Sequence, residues 1–293
     1  MQNTPCRGSH PGHLLVTAYE WAPFIATKTR NGAGRLQSAR PILRTVVSNP
    51  ELTPSWITAF LDFAPDRFDD GVAFWSGVTG WGVSESRGES GQAATLLPPA
   101  GNSHLRVQRL GSGRGRIHLD LHVPSPRSAA DRAVDLGARE VADLGYVVMS
   151  SPGGLAFCFV SEPETRPASP AVWPGGHRSL VDQVCLDLPG ELHDPEVGFW
   201  TEVTGRPYVD SPAPEFSRLV PPAGQPLQLL LQRLDEPLGE VRAHLDLATS
   251  DRAAETTRHE SLGATVVVER DGWTVLTDLV GSAYCITDRE PRA

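Results

Sequence analysis

The chain has 293 residues, of which 26 are Lys or Arg and 35 are Asp or Glu, giving a formal net charge of −9. This length suggests two domains or one large domain, and the shares of hydrophobic (40%) and charged (21%) residues argue against a disordered or fibrous chain. No run of about 18 apolar residues is present, which argues against a transmembrane helix. The acidic balance argues against a dedicated nucleic-acid binder.

The first 53 residues differ from the remainder in charge. They contain six basic and two acidic residues, a net charge of +4, which leaves −13 for residues 54–293. They lack the apolar segment of a secretory signal and show no sustained hydrophobic period. Three explanations remain open: an Arg-rich targeting arm, a disordered extension, or sequence translated from a start codon that lies too early.

We predict that this leader is not needed for folding. A shortened chain beginning near Leu52 is expected to unfold as cooperatively as the full chain, because the leader shows no hydrophobic pattern that a core would bury. Thermal unfolding of the two chains measures this. A loss of stability or of ligand binding after deletion of residues 1–51 would instead make the leader part of the structure.

Copies of strand and helix patterns follow the leader. Residues 57–63 form an apolar strand, and residues 66–80 have apolar side chains near helical spacing, with Gly80 suited to the position after the helix end. Short strands are predicted at 81–85, 94–97 and 105–110. The pattern then restarts with a strand at 116–123, a helix at 128–136 closed by Gly137, and strands around 146–149 and 155–160.

The whole pattern recurs about 125 residues later, which is the most specific feature of the sequence. The matched segments keep their order, and their offsets stay between 123 and 127. The pairs are Leu61-Asp62 with Leu186-Asp187, Phe74-Trp75 with Phe199-Trp200, Val78-Thr79-Gly80 with Val203-Thr204-Gly205, Pro98 to Gly101 with Pro221 to Gly224, Gln108-Arg109-Leu110 with Gln232-Arg233-Leu234, His118 to Leu121 with His244 to Leu247, Leu136-Gly137-Ala138 with Leu262-Gly263-Ala264, and Phe157-Cys158 with Tyr284-Cys285.

The repeat divides the chain into two domains. We predict domain 1 at residues 54–162 and domain 2 at 179–291, joined by a linker at 163–178. The linker is rich in Pro, which supplies no ladder donor, and in Gly, which disfavours a regular helix. Each domain contains strand, helix and further strands twice over, so the predicted class is α+β, with a sheet covered by helices on one face.

These motifs resemble the glyoxalase-like domain of the vicinal oxygen chelate superfamily, which includes glyoxalases, bleomycin-resistance proteins and extradiol dioxygenases. The resemblance covers both copies and leaves residues 1–53 unmatched. It implies that each domain consists of paired βαβββ modules whose mixed sheet curls into a cup, with a ligand or divalent metal on the concave face. It leaves open whether the cups form within or between domains, and whether the protein is a monomeric pseudo-dimer or a homodimer.

The resemblance implies four metal ligands: a His or Gln on the first strand, a Glu on a later strand, a His that opens the second module, and a Glu on the last strand. His118 and His244 match the third ligand, and Gln183 lies close to the first. Gln108 and Gln232 stand nearest to the second, and Cys158 and Cys285 replace the fourth. Copy one therefore keeps one ligand of four and copy two keeps two.

Strand alternation groups these residues without reference to any family. In the segment 117–123, the apolar side chains share one face and His118, Asp120 and His122 share the other. If the apolar face packs on the helices, the polar face lines the cup. The same parity places Phe60, Asp62, Arg106, Gln108 and Cys158 there in copy one. In copy two the set is Gln183, Cys185, Asp187, Gln232, His244, Asp246 and Cys285.

Two chemical interpretations of this cluster stay open beside a structural one. Gln183, His244 and Cys285 are candidate ligands for zinc, which accepts thiolate and imidazole. His118 with Asp120, or His244 with Asp246, are candidates for general acid–base catalysis. In the structural interpretation the cysteines are buried small side chains and the histidines hydrogen-bond to polar neighbours. Asp62 and Asp187 are expected to pair with backbone groups or with Arg109 and Arg233.

Other aromatic residues and motifs limit the possible functions. Trp75 and Trp200 are predicted core residues, whereas Trp81 and Trp273 either line a pocket or pack. No P-loop, GxSxG motif or dinucleotide fingerprint is present. The four cysteines form no CxxC pair and no secretory signal precedes them, which favours a reducing cytoplasm over a disulfide framework.

Two functions compete at this stage. The first is a small-molecule binding or sequestering protein of the bleomycin-resistance type, whose ligand-binding residues are Gln108, His118, Cys158, Gln183, Gln232, His244 and Cys285. The loss of both carboxylate ligands favours it. The second is a metal-dependent lyase, isomerase or dioxygenase, supported by the intact His118 and His244. In both cases the expected partner is a small organic molecule rather than nucleic acid or a membrane.

Overall fold

Residues 49–162, 164 and 166–292 are described by a computed structural model of the chain. The predicted leader, apart from its last few residues, lies outside the described residues. Domain 1 begins with β1 (Trp56–Phe63), α1 (Phe68–Thr79), β2 (Gly82–Val83), β3 (Ala93–Leu97) and β4 (Leu105–Arg109). Its second module consists of β5 (Arg116–His122), α2 (Pro126–Asp135), β6 (Arg139–Asp143), β7 (Val147–Ser150) and β8 (Ala156–Val160).

Domain 2 repeats this order after a two-residue strand, β9 (Ala171–Val172), in the predicted linker. Its first module consists of β10 (Arg178–Leu188), α3 (His193–Thr204), β11 (Tyr208–Asp210), β12 (Phe216–Leu219) and β13 (Gln228–Arg233). Its second module consists of β14 (Arg242–Thr249), α4 (Arg252–Ser261), β15 (Thr265–Glu269), β16 (Trp273–Thr277) and β17 (Ala283–Thr287). The predicted α+β class with paired βαβββ modules is confirmed.

Each domain forms its own mixed sheet. The strand order is β2-β3-β4-β1-β5-β8-β7-β6 in domain 1 and β11-β12-β13-β10-β14-β17-β16-β15 in domain 2, with β9 beside β10. The two modules of a domain join through the antiparallel first strands, β1 with β5 and β10 with β14, and each first strand also pairs in parallel with the last strand of its module. Each sheet is therefore built within one domain. The cups form within the domains and not between them, a point that the sequence left open.

Glycine ends the first helix of both domains, as the repeated Val-Thr-Gly motif predicts. Gly80 and Gly205 adopt φ of 69° and 62°, and each donates its N–H to the carbonyl of the residue four positions earlier. A residue with a Cβ is strained in this left-handed conformation, so glycine stops the helix at little cost. The chain then turns back towards the edge of the sheet, where β2 and β11 begin.

The first helix of each domain packs against the second module of the other domain. Trp75 of α1 meets the ring of Tyr284 on β17 at a centroid distance of 5.3 Å, and Trp200 of α3 meets Phe157 on β8 at 5.4 Å. Both tryptophans are at most 1% exposed. The prediction that they are core residues is confirmed, and the core they fill is shared by the two domains.

Polar contacts accompany the shared core. The indole of Trp75 donates to Asp278 (3.1 Å), and the backbone N–H of Gly153 donates to Glu196 (2.6 Å). Arg258 of α4 donates to the free carbonyls at the end of α1, those of Gly77 and Val78, at 3.0 and 2.7 Å. These bonds satisfy buried groups that would otherwise lose their water without replacement.

Strand β6 with its repeat β15, and strand β9, were not predicted. β6 is exposed at nearly every position, so its sequence shows no alternation of apolar and polar residues. β9 lies in the Pro-rich segment and pairs only with Ser179 and Arg178 at the start of β10. These strands depend on contacts with a neighbouring strand that a local pattern does not reveal. In the described part of the chain, no helix is long and apolar enough to cross a membrane.

Candidate functional site

Alternation along β5 separates the core from the concave face, as predicted. Ile117, Leu119 and Leu121 are buried in the hydrophobic core, while His118 and Asp120 point to the opposite face of the sheet. The matching residues of β14 follow the same alternation. We call the concave face of the domain 1 sheet cup 1 and that of the domain 2 sheet cup 2. Cup 1 contains Phe60, Asp62, His118, Asp120 and Cys158; cup 2 contains Cys185, Asp187, His244, Asp246 and Cys285.

In cup 1 a carboxylate fixes the orientation of the central imidazole. Nδ1 of His118 lies 2.8 Å from Oδ2 of Asp62 on the adjacent strand, and because a carboxylate only accepts, Nδ1–H is the donor. Nε2 then faces Asp120, whose Oδ1 lies 3.9 Å away. Cys158 completes the group, with its ligand atom within 4.8 Å of those of His118 and Asp120.

Burial disfavours the charged forms of the other two groups of cup 1. It raises the pKa of Asp120, an effect that His118 and Arg106 only partly oppose. Burial also raises the pKa of the Cys158 thiol, and the nearby Asp120 raises it further. Taking an ionised group out of water disfavours its charged form unless a partner compensates. Cys158 is therefore a neutral thiol in this environment.

Cup 2 repeats the arrangement with shorter distances. Nδ1 of His244 donates to Oδ2 of Asp187 at 3.1 Å, and Nε2 lies 3.3 Å from Oδ1 of Asp246. Sγ of Cys285 lies 3.6 Å from the same Nε2. Burial alone lowers the pKa of His244, but Asp187 and the sulfurs of Cys185 and Cys285 outweigh it, so that the pKa lies well above its ordinary value.

The predicted ligand Gln183 is engaged elsewhere. Its amide nitrogen donates to Asp246, and its amide oxygen accepts from Nε2 of Gln228 at 2.6 Å. Both ends of the amide are therefore used within cup 2. The structure places Asp246, rather than the oxygen of Gln183, beside His244 Nε2. Gln228 was missed by the sequence analysis because it lies at the start of β13, before the repeated Gln-Arg-Leu motif.

The other candidate ligand-binding residues lie on the last strand of the first module of each cup. Gln108 stands next to Asp62 in the register of β1 and β4, and Gln232 stands next to Asp187 in that of β10 and β13. Oε1 of Gln232 lies 3.6 Å from the thiol of Cys185. All seven predicted ligand-binding residues thus belong to strands that form the cups.

Asp62 and Asp187 have partners other than those predicted. Asp62 accepts from His118 and from Arg116 (3.2 Å), and Asp187 accepts from His244. Arg109 instead pairs with Asp69 at 3.1 Å, and Arg233 lies 3.7 Å from Asp194. The prediction was wrong because both arginines have the strand parity opposite to that of the aspartates, and point away from the cups.

The two cups differ at their rims. In cup 2, the rings of Phe216 on β12 and Trp273 on β16 meet edge to face at 6.0 Å, although four strands lie between β12 and β16 in the sheet. The sheet therefore curls until its two sides touch. By strand register, the corresponding residues in cup 1 are Ala93 and Tyr146, and Tyr146 is 43% exposed.

Trp81 and Trp273, each predicted either to line a pocket or to pack in the core, have different roles. Trp273 borders cup 2 through its contact with Phe216. Trp81 is 4% exposed and packs edge to face on His104 at 5.2 Å, so it is a core residue. Phe216 was missed because a single aromatic residue in a short strand carries no repeat signal; its counterpart in copy one is Ala93.

The architecture described above is a tandem of two α+β domains. In each domain, two βαβββ modules form one cup with a histidine at its centre. The sequence model of the glyoxalase-like domain family matches the chain twice, at residues 58–160 and 183–287. The chain belongs to the glyoxalase-like domain family. Both matches span nearly the whole of the two sheets.

Solved structures of similar fold include several enzymes, one of them with bound manganese. A triple mutant of 4-hydroxymandelate synthase from Streptomyces coelicolor is 18% identical, covering 82% of this chain and 94% of that one with a TM-score of 0.55. The Mn(II)-bound glyoxalase from Novosphingobium aromaticivorans is 17% identical, with 83% of both chains covered and a TM-score of 0.53. A 2,2',3-trihydroxybiphenyl 1,2-dioxygenase from Sphingomonas wittichii is 14% identical, covering 82% and 90%, with a TM-score of 0.51.

Identities this low establish the shared fold and nothing about the reaction. A comparison with curated protein sequences gives no match for this chain. The function must therefore be argued from the two cups.

Proposed function

We propose that this protein binds or sequesters a small organic molecule in its cups. The observation that carries the proposal is the convergence, on both concave faces, of a few polar groups around one oriented histidine, with aromatic side chains close by. Binding sites for small molecules combine apolar walls with a few placed polar groups in this way. The ligand-binding residues are Gln108, His118, Cys158, Gln183, Gln232, His244 and Cys285.

The composition of the cups supports a binding protein over a standard metalloenzyme of the superfamily. Gln108 and Gln232 occupy strand positions where the resemblance implies a carboxylate ligand, and the neutral thiols of Cys158 and Cys285 occupy another. The Gln183 amide is hydrogen-bonded at both ends. Amide and neutral thiol groups can hydrogen-bond an organic ligand without a metal ion.

A second function, that of a metal-dependent lyase, isomerase or dioxygenase, is favoured by one specific arrangement in cup 2. The ligand atoms of His244, Asp246 and Cys285 lie within 4.8 Å of one another. Oδ1 of Asp246 is buried and accepts no hydrogen bond from any described residue. Asp187 holds Nδ1 of His244, as carboxylates commonly do behind metal-bound histidines.

These three donors fit a divalent metal, and the mixed nitrogen, oxygen and sulfur set suits zinc. A bound metal would act as a Lewis acid towards a substrate oxygen or a water molecule. His244, Asp246 and Cys285 would hold it once His244 and Cys285 have lost their protons, and Asp187 would accept from Nδ1–H and leave Nε2 as the ligand atom. His118 with Asp120, and His244 with Asp246, remain the candidates for moving a proton in either cup.

Elemental analysis of protein purified without chelator or affinity metal separates the two functions. For the binding protein we expect no stoichiometric metal. For the enzyme we expect one metal ion per chain, absent from His244→Ala and retained by His193→Ala. His193 is a matched control because it pairs with Asp194 at the start of α3, outside both cups. Stoichiometric metal with this pattern would overturn the metal-free binding protein.

Thermal unfolding in the presence of aldehydes, catechols, thiol adducts and antibiotics then identifies the ligand class. A compound that binds only the folded protein at 100 times its Kd adds about 2.7 kcal/mol to the free energy of unfolding and raises the midpoint. We also propose that the protein is cytoplasmic and that it is either a monomeric pseudo-dimer or a homodimer. No nucleic-acid partner is expected, because residues 54–293 carry a net charge of −13.

A further inference from the structure

Arg106 lies on the concave face of cup 1, at a position that Leu230 occupies in cup 2. It stands beside Phe60 in the register of β1 and β4, and its guanidinium carbon lies 5.8 Å from the centroid of the Phe60 ring. Phe60 in turn stacks on the imidazole of His118, with centroids 4.4 Å apart and ring planes at 14°. The Arg106 side chain is only 14% exposed. Cup 1 therefore contains a buried cation above an aromatic platform.

The partners of this cation come from the rim of the cup. Nη2 of Arg106 lies 2.6 Å from Oε2 of Glu162 and 4.0 Å from Oε1 of Glu164. Glu162 follows the end of β8, and its side chain is 60% exposed. Nε of Arg106 is buried and has no hydrogen-bond partner among the described residues. The largely buried guanidinium of Arg106 therefore has an unused donor at Nε, while the solvated carboxylate of Glu162 accepts from Nη2.

The other polar groups of cup 1 have partners of their own. The buried carboxylate of Asp62 pairs with His118 and Arg116, and Oδ1 of Asp120 lies 3.9 Å from Nε2 of His118. His122 is also engaged, with Nε2 2.9 Å from Thr58 Oγ1 and Nδ1 2.6 Å from the carbonyl oxygen of Glu162. An anion entering cup 1 would therefore compete chiefly with the rim carboxylate of Glu162 for the guanidinium of Arg106.

Cup 2 has a different lining at the same positions. Leu230 stands beside Cys185 in the register where Arg106 stands beside Phe60. The rim of cup 2 carries the contact between Phe216 and Trp273, whereas Ala93 supplies no ring at the rim of cup 1. The duplication has thus produced one cup with an arginine at this position and an unbridged rim, and another with a leucine at this position and an aromatic bridge.

We propose that cup 1 binds an organic carboxylate, whose anionic group replaces Glu162 on Arg106 and whose hydrocarbon part packs on Phe60. Guanidinium groups bind carboxylates through paired N–H donors, and Nε is the second donor that such a pair requires. The inference rests on the proposed small-molecule binding function and adds the chemical class of the ligand for one of the two cups.

Isothermal titration of the full chain with matched probes tests this. The probes are benzoate and phenylacetate, each compared with its neutral amide. We expect both carboxylates to bind more tightly than their amides, and Arg106→Leu, which copies the residue of cup 2, to weaken carboxylate binding at least tenfold. Arg109→Leu is the matched control. It makes the same change on the same strand, at a residue that faces away from the cup and pairs with Asp69.

A second variant is expected to bind the ligand more tightly, a result that misfolding cannot produce. Glu162→Gln removes the internal carboxylate that competes for Arg106, so benzoate should bind several-fold more tightly to this variant than to the unmodified chain. Equal binding of acids and amides, unchanged affinity in Arg106→Leu, or unchanged or weaker affinity in Glu162→Gln would each overturn the carboxylate site. The binding function itself would survive if neutral compounds still raise the unfolding midpoint, and would fail with the carboxylate site if no compound does.

Discussion

Replacing Trp200 by alanine is expected to lower the free energy of unfolding by about 3–5 kcal/mol, the range for removing a large aromatic side chain from a core. Trp200 is fully buried, and its ring packs on Phe199 at 5.2 Å and on Phe157 of the other domain at 5.4 Å. Its indole N–H also donates to Glu196 at 2.7 Å. Alanine leaves a cavity between the domains and removes this donor from a buried carboxyl group.

Urea unfolding followed by circular dichroism measures the change. Trp75→Ala should have an effect of similar size, because Trp75 occupies the equivalent position against Tyr284 and Asp278. Leu238→Ala is the control: Leu238 is 68% exposed, and its replacement should change the free energy by less than about 0.5 kcal/mol. A loss below 1 kcal/mol for Trp200→Ala would contradict a shared core.

The same core predicts cooperativity. Because α1 fills the core beneath β17 and α3 fills the core beneath β8, neither domain completes its hydrophobic core alone. Unfolding followed by fluorescence and by circular dichroism should therefore give coincident single transitions. Two separate transitions would mean that each domain is stable without the helix of the other.

The repeated motifs were sufficient to predict the fold. Two copies with conserved spacing predicted paired modules, and Gly80 and Gly205 marked helix ends because the left-handed conformation there requires glycine. The exchange of helix contacts between the domains was not predictable. It depends on which surfaces of two similar modules fit together, and the alternation of apolar residues in one strand or helix is the same for either partner.

The candidate site was predicted in its composition but not in its internal pairing. Strand parity brought His118 and Asp120 to one face, and likewise His244 and Asp246, because alternation is a local property of a strand. The partners predicted for Asp62 and Asp187 were wrong because Arg109 and Arg233 have the opposite strand parity. The actual partners depend on the register between β1 and β5 and between β10 and β14. The engagement of Gln183 depends on a third strand, β13, and parity alone contains no information about it.

A buried histidine at the domain boundary, His104, is expected to make the free energy of unfolding depend strongly on pH. His104 is fully buried, its Nε2–H donates to the carbonyl oxygen of Val181 at 2.7 Å, and its Nδ1 has no partner among the described residues. Burial lowers the pKa of His104 to about 4 from an ordinary value of 6.5, against the opposing effect of the Val181 bond, and the charge of Arg292 lowers it further.

This shift has a definite sign. In the unfolded chain His104 takes up a proton below about pH 6.5, whereas in the folded protein it stays neutral until about pH 4. Because the unfolded state binds more protons in this window, the folded state becomes less stable as the pH falls from 6.5 to 4, by roughly 3 kcal/mol in all. Above pH 6.5 His104 contributes no pH dependence.

The variant His104→Gln isolates this contribution, because its amide can donate to Val181 but does not titrate. The free energy of unfolding of the unmodified protein minus that of the variant should be constant above pH 7 and should fall as the pH decreases to 4. The pKa values of Glu196 and Asp278 are raised by burial, so these carboxyl groups stabilise the folded state as the pH falls, but both proteins contain them and the difference removes their effect. A difference that does not vary with pH would mean that water reaches His104, and that the boundary between the domains is less tightly closed than its contacts with Val181 and Trp81 imply.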